Sequence, residues 1–177
     1  MLLFLIGYAG SGKSSMGKRL QRRLGCRYVD TDRLVEQSVG ATIADIFHYE
    51  GEAYFREQER AVVEALGCTM RDGIVATGGG LPTWRDNMSL LGRLGLTIYL
   101  RRPPEQILSR LTAYGRERRP MFRGKSDEEL LQFMREQMAQ REPYYAEAHL
   151  TIDCQALSDE DVVEYIANYI DKSRRDE

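Results

Sequence analysis

Thiol and imidazole are scarce in this 177-residue chain, which has three cysteines (Cys26, Cys68 and Cys154) and two histidines (His48 and His149). An odd number of widely separated cysteines forms neither a disulfide framework nor a C-x-x-C pair. Neither histidine is spaced to complete a structural zinc site with them. The cysteines are therefore expected to be buried reduced thiols in the cytoplasm. Long apolar runs are also missing: the longest clean one, Met1 to Ile6, falls far short of the ~20 residues that span a bilayer. It lacks the basic flank and small-residue cleavage site of a signal peptide, so neither a membrane partner nor export is expected. Nor does charge of one sign dominate, because 25 Lys+Arg against 27 Asp+Glu leave a net −2. No global positive field gathers nucleic acid, and none is expected as a partner. Apolar residues at 42% and charged residues at 29% exclude a disordered chain. The length fits a single domain over 1–177.

The apolar run at Met1 to Ile6 stops at Gly7, the pattern of a strand buried on both faces. Lys13 to Leu24 follows, with Met16, Leu20 and Leu24 at helical spacing and Gly25 as its stop. Further strand patterns lie at Cys26 to Val29, Ile74 to Ala76, Leu96 to Leu100 and Leu150 to Ile152. Helical stretches alternate with them, which predicts an α/β fold with a mainly parallel sheet. Residues 30–73 exceed what one crossover helix needs. Thr42 to His48 and Glu52 to Leu66, broken by Gly51, predict a helical excursion over about 32–62. Tyr114 to Lys125 has no apolar period and predicts a mobile loop, with the whole segment placed at about 112–125. Ser126-x-x-Glu129 and Ser158-x-x-Asp161 read as capping boxes.

Gly7-Tyr8-Ala9-Gly10-Ser11-Gly12-Lys13-Ser14 fits G-x-x-x-x-G-K-[ST] between a strand and a helix, the context of a phosphate-binding loop. Glycines let successive backbone N–H groups curl round phosphates, Lys13 reaches their oxygens, and the Ser14 hydroxyl suits Mg²⁺. The next strand pattern but one ends in Thr77-Gly78-Gly79-Gly80 rather than in the usual aspartate, so the metal needs another carboxylate. Asp30-Thr31-Asp32 supplies two at the carboxyl edge of the sheet. The same tripeptide also reads as a helix N-cap with first-turn charge. Gly78-Gly79-Gly80 is either a plain loop or a place where a ligand approaches backbone. Arg56 and Arg141 are equally compatible with solvated helix surfaces, with Glu59 and Glu142 as partners. Residues 115–125 carry +4 and the remainder −6, a cationic flap beside a phosphate site.

Together these pieces resemble the shikimate kinases. The carriers are Gly7 to Ser14, Asp30-Thr31-Asp32 with Glu36, Ile43-Ala44-Asp45-Ile46-Phe47, Gly51-Glu52 with Phe55-Arg56 and Glu59, Gly78-Gly79-Gly80, Arg119-Pro120, and Arg141 before Pro143-Tyr144-Tyr145. The resemblance implies a P-loop NTPase fold with five parallel strands in the order 2-3-1-4-5, a substrate-binding excursion and a lid. It also implies transfer of the γ-phosphate of ATP to the 3-hydroxyl of shikimate, on the route to chorismate and the aromatic amino acids. ATP would lie on Gly10, Ser11, Gly12, Lys13, Ser14 and Ser15, with Mg²⁺ on Ser14 and, through water, Asp30. Shikimate would meet Asp32, Arg56, Arg141 and backbone at Gly78, Gly79 and Gly80. Lys13, Asp32 and Arg119 would be catalytic. A small polyhydroxylated acid asks for guanidinium forks and a carboxylate acceptor, in agreement with these residue types.

Gln155, after the last strand, is the candidate against the adenine. Arg118 and Arg119 compete for the lid role, and Pro120 favours Arg119. Leu81-Pro82-Thr83-Trp84, Arg101-Arg102 and Pro103-Pro104 receive no role. A kinase for another hydroxy acid such as gluconate, a nucleotide switch and a nucleic-acid binder are the competing readings. With no long heptad or large apolar surface pattern, a monomer is expected.

Overall fold

A computed structural model describes residues 1–117 and 119–173. The apolar runs form its sheet. β1 (Leu2–Ile6) is buried along its whole length and pairs in parallel with both β3 (Gly73–Ala76) and β4 (Gly95–Arg101). β2 (Tyr28–Asp30) and β5 (Leu150–Asp153) are the edges, again parallel, and the order is β2-β3-β1-β4-β5, as expected. β2 begins two residues later than its sequence pattern, because Cys26 and Arg27 connect it to the left-handed Gly25 cap.

Alternation along β1 divides the interior into two layers. Leu2, Phe4 and Ile6 face Val63 and Leu66 of α4 (Gly51–Thr69), Leu91 of α5 (Asn87–Leu94), Ile107 of α6 (Pro104–Arg110) and Met134 of α8 (Asp127–Tyr145). Leu3 and Leu5 face Met16 and Leu20 of α1 (Lys13–Leu24) and Val162, Ile166 and Ile170 of α9 (Asp159–Ser173). Val35, Ile46 and Phe55 form a third, small cluster joining α2 (Thr31–Val39), α3 (Ile43–Tyr49) and α4. No helix among the described residues is long and apolar enough to cross a membrane.

Local chemistry sets the helix ends. Ser126 and Glu129 make the reciprocal capping box of α8. Ser158 accepts from the Asp161 amide, while Asp161 accepts from the Ser158 hydroxyl and amide.

Two expectations need correction. The cysteines are free, but only Cys154 is buried: Cys26 is half-buried and Cys68 exposed. Cys68 falls on the outer side of the last turn of α4, with Glu64, Ala65 and Thr69. The segment expected as structureless contains α7 (Ala113–Glu117) and a 3₁₀ turn at Pro120–Phe122. A lone apolar residue shows no periodicity, yet Phe122 is fully buried in the core beside Tyr8, with ring centroids 6.4 Å apart.

Candidate active site at the carboxyl edge of the sheet

The chain leaves β1 through a turn that needs glycine. Gly7, Gly10 and Gly12 have φ of 141°, 86° and 101°, a region costly for residues with a Cβ. A Cβ on Gly10 would also sit 2.9 Å from Ile107. The Ser11 amide donates to the Tyr8 carbonyl at 3.1 Å. The turn delivers the chain into α1, whose first residue, Lys13, points its ammonium back into the loop. There it donates to the Gly7 and Tyr8 carbonyls at 2.7 and 2.8 Å. Burial lowers the Lys13 pKa to about 8; Asp32 and Asp30 oppose that shift and Arg119 adds to it.

β2 brings the two aspartates to the same edge. Asp30 does both things that its sequence allowed. Its Oδ1 caps α2 by accepting from the Asp32 amide at 3.1 Å, and its Oδ2 accepts from the Ser14 hydroxyl at 2.7 Å. This pairing of a hydroxyl with a carboxylate is an all-oxygen donor set. Among the described residues no group of three His, Cys, Asp or Glu could hold a metal. A magnesium ion that keeps several waters and shares phosphate oxygens needs no such cluster, so Ser14 and Asp30 fit it.

Asp32 lies against a buried charged group. Arg56 and Glu59, one turn apart on α4, form an ion pair in which Glu59 is fully buried, and Glu52 completes the Arg56 contacts at 3.0 Å. Burial raises Asp32 to about 6, helped by Asp30 and opposed by Lys13 and Arg56. Burial also raises Glu59 to about 7; Arg56 opposes the rise and Asp32 adds to it.

The three glycines after β3 are explained by this group. A Cβ on Gly78 would overlap Glu59 and come within 2.7 Å of Asp32, and one on Gly80 would overlap the Arg56 guanidinium. Gly79 lies close to the Ala9 backbone, 3.0 Å from its nitrogen to a Cβ built there. The Gly78 amide donates to Thr31 Oγ1 at 2.9 Å, and the Gly79 carbonyl accepts from the Tyr145 hydroxyl at 2.6 Å.

From the other side α8 presents Arg141, whose guanidinium carbon lies 5.5 Å from the centre of the Tyr8 ring and whose Nη2 donates to Gln137 at 3.1 Å. Arg119 is half-buried, donates to the Gly115 carbonyl at 2.5 Å and packs over Phe122 at 5.9 Å. Arg118 lies outside the described residues. Ser15 is exposed on the first turn of α1. Gln155 is exposed beyond β5, its amide on Asp153 and its carbonyl accepting from Gln106.

Sequence reasoning missed Arg102, which is 2% exposed. It follows the last residue of β4, donates to the Ser11 carbonyl at 3.3 Å and pairs with Asp159 at 3.2 Å. That carboxylate also holds Arg110 at 2.6 Å and Arg19 at 3.8 Å. The available signal was position: an arginine directly after a buried strand arrives at the sheet edge that carries the phosphate loop.

The shikimate kinase family model matches residues 9–171. The chain belongs to the shikimate kinase family. It is 42% identical over 164 residues to the shikimate kinase of Symbiobacterium thermophilum, covering 92% of each chain. The crystal structure of the Bacteroides thetaiotaomicron shikimate kinase superposes with a TM-score of 0.87 at 30% identity, covering 97% of this chain and 98% of that one. The Acinetobacter baumannii shikimate kinase in complex with shikimate superposes with a TM-score of 0.84 at 32% identity, covering 97% of this chain and 93% of that one. Family and architecture agree: shikimate kinases carry the same five-stranded P-loop fold described above.

Proposed function

We infer that this chain is an ATP-dependent kinase that transfers the γ-phosphate of ATP to the 3-hydroxyl of shikimate, releasing shikimate 3-phosphate and ADP. Its membership of the family supports this reading. One observation carries it: the Lys13 loop and the Asp32, Arg56 and Arg141 set share the same sheet edge. Lys13 and Asp32 are close enough to oppose each other's titration.

In this reading Gly10 to Ser15 cradle the triphosphate. Ser14 and Asp30 hold the magnesium ion, which when bound supplies positive charge to the phosphate oxygens. Asp32 accepts a hydrogen bond from the acceptor hydroxyl and aims its oxygen at the γ-phosphorus. As the new P–O bond forms and the bond to the β-phosphate oxygen breaks, the hydroxyl proton passes to Asp32. A carboxylate raised to about 6 remains ionised at neutral pH and is a better proton acceptor than an ordinary aspartate. Arg56 and Arg141 hold the acceptor carboxylate, and the backbone at Gly78 to Gly80 closes on its ring. Arg119, from segment 112–125, reaches the transferring phosphoryl group, where charge stabilisation and positioning dominate the chemistry. Gln155 flanks the adenine.

The test is ADP release from Mg·ATP with shikimate, gluconate, a nucleoside monophosphate or no acceptor, with Arg141→Ala as control. Release stimulated by shikimate and lost in the variant is the expected result. Stimulation by a different acceptor alone would overturn the reading.

A further inference from the structure

We propose that Tyr8 is a positioning residue for the acceptor's carboxylate clamp, holding the Arg141 guanidinium over its ring and tying that clamp to the phosphate loop. The proposal rests on the reading of Arg141 given above. Tyr8 is the second residue of the loop, and its two ends do different work. Its carbonyl receives the Lys13 ammonium at 2.8 Å and the Ser11 amide at 3.1 Å, so its backbone belongs to the phosphate side. Its side chain turns into the core, where only 1% of the residue is exposed, and the Arg141 guanidinium carbon lies 5.5 Å from the ring centre. One residue therefore touches the lysine on the donor side and the arginine on the acceptor side.

Arg141 gains a second tie to the sheet in this way. A long side chain loses rotamer freedom when fixed in one geometry. Arg141 bonds Gln137 one turn back on its own helix and meets the Tyr145 hydroxyl one turn on, which itself donates to the Gly79 carbonyl, so those bonds fix one end of the guanidinium and leave its face to the Tyr8 ring. An aromatic face beneath a guanidinium fixes its height and tilt at a small entropic cost. The ring also packs beside Phe122, stacked at 27° with 6.4 Å between centroids.

The contact resides in the ring and not in the hydroxyl. Tyr8 Oη is buried with no hydrogen-bond partner among the described residues, and burial pushes it up to about 12, so it stays neutral. Phenylalanine therefore keeps the function, whereas leucine, apolar but without a π face, removes it.

Initial rates with Mg·ATP and shikimate test this on Tyr8→Leu, Tyr8→Phe, Arg141→Ala and the Tyr8→Leu/Arg141→Ala pair. Tyr8→Leu raises KM for shikimate about five- to thirtyfold, the worth of a partly desolvated cation–π contact. It leaves kcat and KM for ATP within about twofold, the pattern of lost uniform binding. Tyr8→Phe stays within about twofold of wild type throughout, and Tyr8→Leu adds nothing in the Arg141→Ala background. An unchanged KM for shikimate, a parallel rise of both KM values, a Tyr8→Phe loss as large as that of leucine, or full additivity overturns the proposal. Where circular dichroism shows that Tyr8→Leu has not folded, Tyr8→Met, closer in length, takes its place under the same criteria. A wild-type enzyme that ignores shikimate sinks the functional reading and this one with it, whereas a responsive wild type with an unaffected leucine variant sinks this one alone.

Discussion

At the scale of the residue, the feature that suits Asp32 to the proposed proton transfer also makes it a burden to the fold. Burial lifts it to about 6, so folding favours its protonated form. Between an unfolded value near 3.8 and about 6, the native state binds more protons than the unfolded one, and stability falls as pH rises through that window. Asp32→Asn removes the charge and with it that slope. Above pH 7 the variant is expected to be more stable than wild type by on the order of 1–2 kcal/mol, while shikimate-dependent turnover collapses. Chemical denaturation at pH 4, 6 and 8 beside the kinetic assay checks both halves; a variant with wild-type turnover defeats the proton-acceptor role. The free enzyme's kcat/KM should in turn rise with pH through about 6 as Asp32 ionises. It should fall through about 8 as Lys13 loses its proton, with the pH–rate profile as the measurement.

At the scale of the element, the Gly78 to Gly80 turn shows how far a pattern can be read. Three glycines in a row announce close approach but not to what. The answer is a group of half-buried Asp32 from α2 with buried Glu59 and Arg56 from α4. Glu59 looked like the exposed partner of a surface arginine because one-turn spacing on a helix is silent about burial. Its environment depends on the Gly78 turn packing across it. Gly78→Ala forces a methyl against two carboxylates and should cost about 1–3 kcal/mol by overpacking, with a raised KM for shikimate. Gly79→Ala, whose nearest neighbour is 3.0 Å away, should cost less, and urea titrations of the two variants check the ranking. The segment after α6 makes the complementary point. Its charge was legible, but its anchor was not, since a single buried Phe122 leaves no period. Arg116 and Asp127, 2.5 Å apart, and Arg123 on the Glu117 carbonyl at 2.6 Å hold it by exposed contacts. Such contacts contribute little each, so segment 112–125 should be cleaved by trypsin in the free enzyme and protected by Mg·ADP with shikimate. Equal cleavage rates would remove the lid role.

At the scale of the whole molecule, what the sequence made legible is whatever the backbone alone demands. The glycine turn, the buried central strand and the alternation of strands with helices each impose local residue choices, and the strand order came with the family resemblance. Arg102 and Asp159 stayed dark because their ion pair joins the ends of β4 and the start of α9, 57 positions apart, and no local pattern encodes such a meeting. The same long-range wiring makes the site a property of the whole sheet: the phosphate loop hangs from β1 between the two core layers, and the proposed acceptor groups come from α2, α4, the turn after β3 and α8. Ligands should therefore stabilise the entire fold. At a hundred times its Kd, Mg·ADP adds about 2.7 kcal/mol, about 5–10 °C in Tm for a chain of this size. If Tyr8 serves the acceptor's clamp and not the nucleotide, Tyr8→Leu must keep the full Tm rise given by Mg·ADP and lose most of the rise given by shikimate at a fixed concentration. Thermal melts of wild type and variant with each ligand decide it: an equal loss of both rises would mean that the ring supports the whole loop and not the clamp.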